Sequence, residues 1–203
     1  MKGLLLKDFY NVKNLILYYA LVAAVFAVVS VVSSNIYFFC GFMIFISVGL
    51  VSSTISYDAQ DKWDRYALSS GVSRRTAVLS KYVFTVVTIL CSLALGLILA
   101  LALGYRQAVD FLPVVAYSFA GVLSVGIVLP CFFRFGVEKA RVIYMIVIVF
   151  TVALMVGGIS LFERLNFAAQ APWMLVLLAV LSVAILAISY FVSLRIYRNK
   201  EFN

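Results

Sequence analysis

The sequence predicts an all-α membrane protein. It is read as six transmembrane helices, preceded by an N-terminal interfacial amphipathic helix and interrupted by short helices between spans 2 and 3. Three observations carry this. Of 203 residues, 66% are hydrophobic and 12% charged, where a soluble domain of this size carries about 25% charged residues. The apolar residues fall in runs long enough to cross about 30 Å of hydrocarbon, for which about 20 residues suffice. The basic residues sit between those runs and are shared unequally between the two sides.

Six segments qualify as spans: 15–33, 36–56, 82–104, 111–133, 142–161 and 173–194, and none holds a Lys, Arg, Asp or Glu. Only Ser34 and Asn35 separate the first two, a tight helical hairpin. The whole of 1–203 then reads as one transmembrane domain. Fourteen of the 16 Lys and Arg fall in the N-terminal segment, the 57–81 segment, the 134–141 loop and the tail. Arg106 and Arg164 alone face the other side. Positive residues favour the cytoplasm, so both termini are expected there. No cleavable signal peptide is expected, because the apolar run after Lys2, Lys7 and Lys13 is too long and lacks a small-residue cleavage pattern.

Residues 2–14 form the interfacial element. Leu5, Phe9, Val12 and Ile16 repeat at helical spacing, with Lys7, Asp8, Asn11 and Asn14 largely opposite. An apolar stripe of this kind can lie at the acyl boundary. The alternative is a plain helical extension of the first span.

Composition excludes several functions. The net charge of +8 suggests nucleic acid only where a soluble fold presents a basic face, and here the charge is topological, so no nucleic-acid partner is expected. There is no His, which removes the commonest general base and metal ligand. Cys40, Cys91 and Cys131 stand singly in apolar stretches without CxxC spacing and read as packing residues. No catalytic, cofactor or metal residues are assigned.

Within the third span Thr88, Ser92, Gly96, Ala100 and Gly104 recur every fourth position. Small residues at this spacing let helix backbones approach closely, which matters where lipid removes the hydrophobic drive. Ser92, Gly96, Ala100 and Gly104 are therefore the candidate helix-packing residues, either within the chain or against a second copy. The second span carries Ser47, Ser52, Ser53, Thr54 and Ser56, which either line a wet path or bond back to their own helix carbonyls. Pro130 is expected to kink the fourth span.

The segment 57–82, YDAQDKWDRYALSSGVSRRTAVLSKY, is far longer than a connector needs. It reads as two short helices separated by Gly71. Trp63, Tyr66 and Ala67 share one face of the first. Ser73 is placed to cap the second, which would carry Arg74, Arg75 and Lys81 back to the membrane surface. An aromatic anchor with a charged rim suits docking of a cytoplasmic partner; the alternative is a solvated loop on lipid headgroups.

At this segment the chain resembles the permease subunits of ABC-2 type ABC transporters. The opening MKGLLLKDFYNVKN is similar to the family's interfacial helix. The pattern D-x-x-x-x-W-D-R-Y-x-L followed by V-S-R-x-x-x-V-x-S-K-Y, over residues 58–82, resembles its coupling segment, and YRNKEF its basic ending. The six-span layout extends the likeness over the whole chain. The short bacterial permeases that export cytolytic amphipathic peptides such as phenol-soluble modulins are the most similar subset. Relatives commonly carry Leu-Pro before V-S-R, where this chain has Ser70-Gly71.

The resemblance implies cytoplasmic coupling helices between spans 2 and 3 and a bacterial plasma-membrane location. It also implies two copies of a P-loop ATPase subunit, which would hold the ATP and Mg, and a second permease copy, identical or a close paralogue. No G-x-x-x-x-G-K-[ST] loop stands in this chain, so it cannot hold ATP in that way and is not itself an enzyme. The docking residues implied are Asp58, Asp61, Lys62, Trp63, Asp64, Arg65, Tyr66, Arg74 and Arg75. Two other functions compete. An ion-coupled secondary transporter places charges or broken helices at mid-membrane, which these spans lack. A non-transporting scaffold needs no path at all. An uncharged interior disfavours ions and strongly charged solutes and suits amphipathic peptides, lipids or hydrophobic drugs; with the resemblance, hydrophobic or amphipathic peptides are the expected cargo.

Overall fold

The computed structural model describes residues 2–165 and 171–199. Among them the chain forms six helices: α1 (Lys2–Val32), α2 (Tyr37–Gln60), α3 (Trp63–Ser69), α4 (Arg74–Ala102), α5 (Ala108–Leu165) and α6 (Ala171–Arg198). There is no strand among the described residues. Five helices are long and apolar enough to cross a membrane: α1, α2, α4, α5 and α6.

α5 is not a single straight rod. Its apolar stretch covers 46 residues, about 69 Å at 1.5 Å per residue, more than twice the hydrocarbon thickness. Gly136 interrupts it at φ 77°, ψ 178°, a conformation essentially reserved for glycine. The chain folds back there. Ser124 Oγ donates to Thr151 Oγ1 at 3.1 Å, although 27 residues separate them, about 40 Å along a straight helix. The expected 134–141 loop is thereby reduced to a turn, with helix on both sides of Gly136. Pro130, expected to kink the fourth span, lies inside the helix six residues before this break.

The sequence placed an interfacial helix at 2–14, distinct from the first span. α1 instead runs unbroken from Lys2 to Val32. Its inward row is Asp8, Val12, Ile16, Tyr19, Ala23, Phe26 and Ser30, all buried or partly so. Asp8 is thus on the inner face rather than opposite the apolar stripe, while Phe9 of that stripe faces out. The two helices expected in the 57–82 segment are also differently arranged. α3 is short and free-standing, but the second is the first part of α4.

The ends of the helices explain the compact connections. α1, α3 and α4 each close with a left-handed residue, Ser34, Gly71 and Gly104. In each, the next amide reaches back to a carbonyl five residues earlier: Asn35 to Ser30, Val72 to Ala67 and Tyr105 to Ala100, all at 3.0–3.1 Å. This is the Schellman closure. At Gly71 the φ is +84°, which a proline ring cannot adopt; the Ser70-Gly71 departure from the Leu-Pro of relatives follows from this turn. Ser73 caps α4, its Oγ accepting from the Thr76 amide at 3.2 Å.

α2 and α5 hold the most buried stretches, whereas α1 and α6 are mostly exposed. The hydroxyls of α2 are turned back on their own helix: Ser52 to Val48, Ser53 to Gly49, Thr54 to Val51 and Ser56 to Ser52. Ser47 bonds the Met43 carbonyl and also meets Ser92 Oγ of α4 at 2.7 Å. A Cβ on Gly96 would stand 2.8 Å from Val114 of α5, and Ala100 is fully buried. α4 therefore packs closely within the chain. Gly104, by contrast, ends the helix.

Candidate functional site at the charged end of the bundle

The start of α1, the end of α2, α3 and the start of α4 meet at one end of the bundle, together with Phe133 of α5 and Tyr197 of α6. Four charged side chains close on one another there. Lys81 Nζ lies 2.8 Å from Asp8 Oδ1 and 2.6 Å from Asp58 Oδ2. Lys7 Nζ lies 2.5 Å from Asp58 Oδ1 and 3.3 Å from Asp8 Oδ1. Two acids and two bases alternate, so the set is neutral and joins three helices. Asp8 is 1% exposed and Lys81 7%. Burial at that level is tolerable only for paired charges. One oxygen, Asp8 Oδ2, has no hydrogen-bond partner among the described residues.

Trp63 covers this clamp. Lys7 Nζ sits 4.4 Å from the Trp63 ring centroid, a cation–π distance. Ala67, one turn further along α3, is buried beside it. Tyr66 turns outward, 63% exposed, with its ring 5.3 Å from that of Trp63. The three residues expected on one face thus divide, two inward and one outward. Lys62 starts α3 in a left-handed conformation.

A second tie runs from α4 to α6. Arg74 Nη1 donates to the Arg198 carbonyl and, at 3.4 Å, to the Tyr197 carbonyl. A guanidinium at the C-terminal carbonyls also meets the negative end of the helix dipole. About two turns of α4 further on, Tyr82 Oη bonds Ser189 Oγ at 2.6 Å and Ser193 Oγ at 2.8 Å. Ser189 in turn donates to the Gly126 carbonyl of α5. The start of α4 is therefore fixed to α1, α2, α5 and α6.

The sequence-derived docking residues separate into two sets. Asp58, Trp63 and Arg74 point inward or along neighbouring helices. Asp61, Lys62, Tyr66 and Arg75 are exposed. The side chains of Asp64 and Arg65 lie outside the described residues. Beside the exposed set, a shallow concavity of about 620 Å³ opens between Gly3 and Leu4 of α1 and Trp63, Val72, Ser73 and Thr76. Sequence reasoning missed Lys7, Asp8 and Lys81 as site residues. The available signal was Asp8 standing four residues before Val12, on the inward stripe of an otherwise apolar helix, with Asp58 and Lys81 near the ends of two other spans.

These features define a polytopic helical membrane protein with a structured module at one end. The chain matches the family model of the ABC-2 family transporter protein over residues 3–198, and it belongs to that family. Membership makes it a membrane-embedded permease component of an ABC transporter and implies an ABC ATPase as partner. No match was found among curated proteins or among solved structures.

Proposed function

We propose that the chain is a six-span permease half of an exporter for hydrophobic or amphipathic peptides, driven by ATPase subunits that dock on α3 and the start of α4. The observation that carries this is the two-sided character of α3. Its inner face, Trp63 and Ala67, is seated on the charged clamp, while Asp61, Lys62, Tyr66 and Arg75 stand exposed around it. Force applied to the exposed side reaches α1, α2 and α4 through direct ion pairs. Six spans follow when the two arms of α5 on either side of Gly136 each cross the bilayer. The basic bias of the charged end supports a cytoplasmic side for it, and the resemblance to short bacterial permeases supports a bacterial plasma membrane.

Two ATPase copies and a second permease copy complete the assembly. The cavity enclosed by Cys40, Ser47, Ser92, Gly96 and Tyr117 measures about 10 Å³, room for about one water. That point of the helix interior has no room for a peptide, which supports a path between two copies. Nucleotide-driven closure of the ATPases shifts the population between inward-open and outward-open or collapsed arrangements.

Co-purification of the ATPase with permease variants tests the docking. Asp61→Arg, Tyr66→Ala and Arg75→Glu should each lower ATPase recovery, with membrane insertion unchanged. Undiminished recovery with all three combined would refute the docking surface. For the cargo, ATP hydrolysis by the purified complex should rise with amphipathic peptides; a response to a sugar or an ion instead would reassign the substrate. Asn199→Cys should react with an impermeant maleimide only in inside-out vesicles.

A further inference from the structure

A groove of about 280 Å³ runs between α1, α2 and α4, lined by Phe9, Ile16 and Ala20, by Leu50, and by Phe84 and Leu95. Its α1 wall reaches from Phe9 to Ala23, about 21 Å of helix. That exceeds the depth of one leaflet, about 15 Å, half of a 30 Å hydrocarbon core. The α4 hydroxyls on its wall are already engaged. Thr88 donates to the Thr85 carbonyl, and Ser92 bonds the Thr88 carbonyl and Ser47. The Tyr19 hydroxyl on the same wall points toward Gly49, and the surface left to the groove is almost entirely carbon, which suits a hydrocarbon chain rather than a polar ligand.

At the mouth of the groove the chemistry changes. Lys13 falls between Phe9 and Ile16 on the same stripe of α1, at the 9, 13, 16, 20 spacing of one helix face. It is exposed, and its Nζ lies 5.6 Å from the centroid of Tyr10. The stem thus leans toward the N-terminal, headgroup end, as amphipathic side chains do at a membrane boundary. Unlike Lys7 and Lys81, it forms no ion pair among the described residues. An apolar slot that spans at least one leaflet, with a cation on the α1 stripe beside its headgroup-side half, is complementary to one kind of molecule.

We propose that this groove holds a phospholipid, its acyl chain against Ala20 and Leu95 and its phosphate at Lys13. The site is separate from the docking surface and does not depend on the cargo. A bound lipid wedges α1 against α4 where few side chains of the two helices meet directly, and it makes the packing of α1 sensitive to bilayer composition.

The test uses the purified full-length permease in nanodiscs containing phosphatidylglycerol with a diazirine in one acyl chain. After photolysis, adducts are mapped by mass spectrometry. Adducts should concentrate on Ala20, Cys91 and Leu95, above the level on lipid-facing Val180 and Val183 of α6. Ala20→Leu, which fills the slot from an exposed position, should reduce groove adducts at least about fivefold and leave those on α6 unchanged. Lys13→Ala should reduce them by about fivefold, the order expected for one cation at a lipid surface. Equal labelling of groove and α6, or groove labelling indifferent to both variants, shows only the bulk lipid annulus and overturns the proposal. So does a bismaleimide cross-link between Cys91 of two copies with no lipid adduct, which would assign the face to a second permease. Displacement of the adducts by an amphipathic peptide at equimolar concentration would assign the slot to cargo.

Discussion

The two polar junctions of this bundle are built by opposite means. At the charged end, four ionised side chains join α1, α2 and α4, each supplied by a helix near its terminus. Midway along the same helices, α2 and α4 meet through Ser47 and Ser92, and α4 meets α5 where Gly96 accepts Val114. The first junction is strong only while complete, because each charge is buried on the strength of its partners. The second is made of groups that already bond within their own helices, so each cross-helix contact is a small addition. The comparison teaches where rigidity is placed: concentrated beneath α3, dispersed in the membrane.

The largest expected effect comes from breaking the clamp. Asp58→Ala leaves Lys7 and Lys81 facing a single carboxylate. It should destabilise the permease by about 3–5 kcal/mol, the range for removing one partner of a buried pair. Thermal unfolding in detergent reads this. Lys81→Ala should cost more than Lys7→Ala, since Lys81 is buried and Lys7 is only partly so. An Asp58→Leu, Lys81→Met double variant should recover part of the loss; full additivity of the two single effects would show that the pair is not coupled.

Gly96→Ala comes next. Its Cβ would meet Val114 at 2.8 Å, and overpacking of this kind costs about 1–3 kcal/mol. Gly121→Ala is the control, because nothing stands within 4 Å of the added carbon. If the two variants unfold alike, the close approach of α4 to α5 is not what holds the seam. Ser47→Ala should have the smallest effect, about 0.6 kcal/mol. A loss rivalling that of Asp58→Ala would erase the distinction between the two junctions.

The same contrast governs what could be read from sequence. The long apolar helices and the short 33–36 hairpin were legible, because length and hydropathy alone decide them, whereas the inward face of α1 was not. The Ser73 cap was also legible, because capping is local. The interior of the clamp was not. Lys7 and Asp8 are adjacent in a segment whose composition suits a membrane surface, and only the arrival of Asp58 and Lys81 from distant positions makes burial tolerable. Gly136 was passed over because a glycine between basic residues resembles a loop, whereas its unusual dihedral is fixed by the two helix arms it reverses. Asp58 illustrates the limit best. Its place in the 58–82 pattern marked it as a docking residue, yet it is buried beneath Trp63. Pattern shows that a residue is required, while geometry shows what it touches.

The clamp and the Arg74 tie also differ in when they can form. Every member of the clamp lies within the first 81 residues, so it can close while much of the chain is still on the ribosome. Arg74 must wait for the carbonyls of Tyr197 and Arg198, made 123 and 124 residues later. The N-terminal helices thus acquire their register early, in keeping with N-terminal-first folding during synthesis. α6 then locks onto a platform already set, and a chain truncated before α6 should still carry a closed clamp.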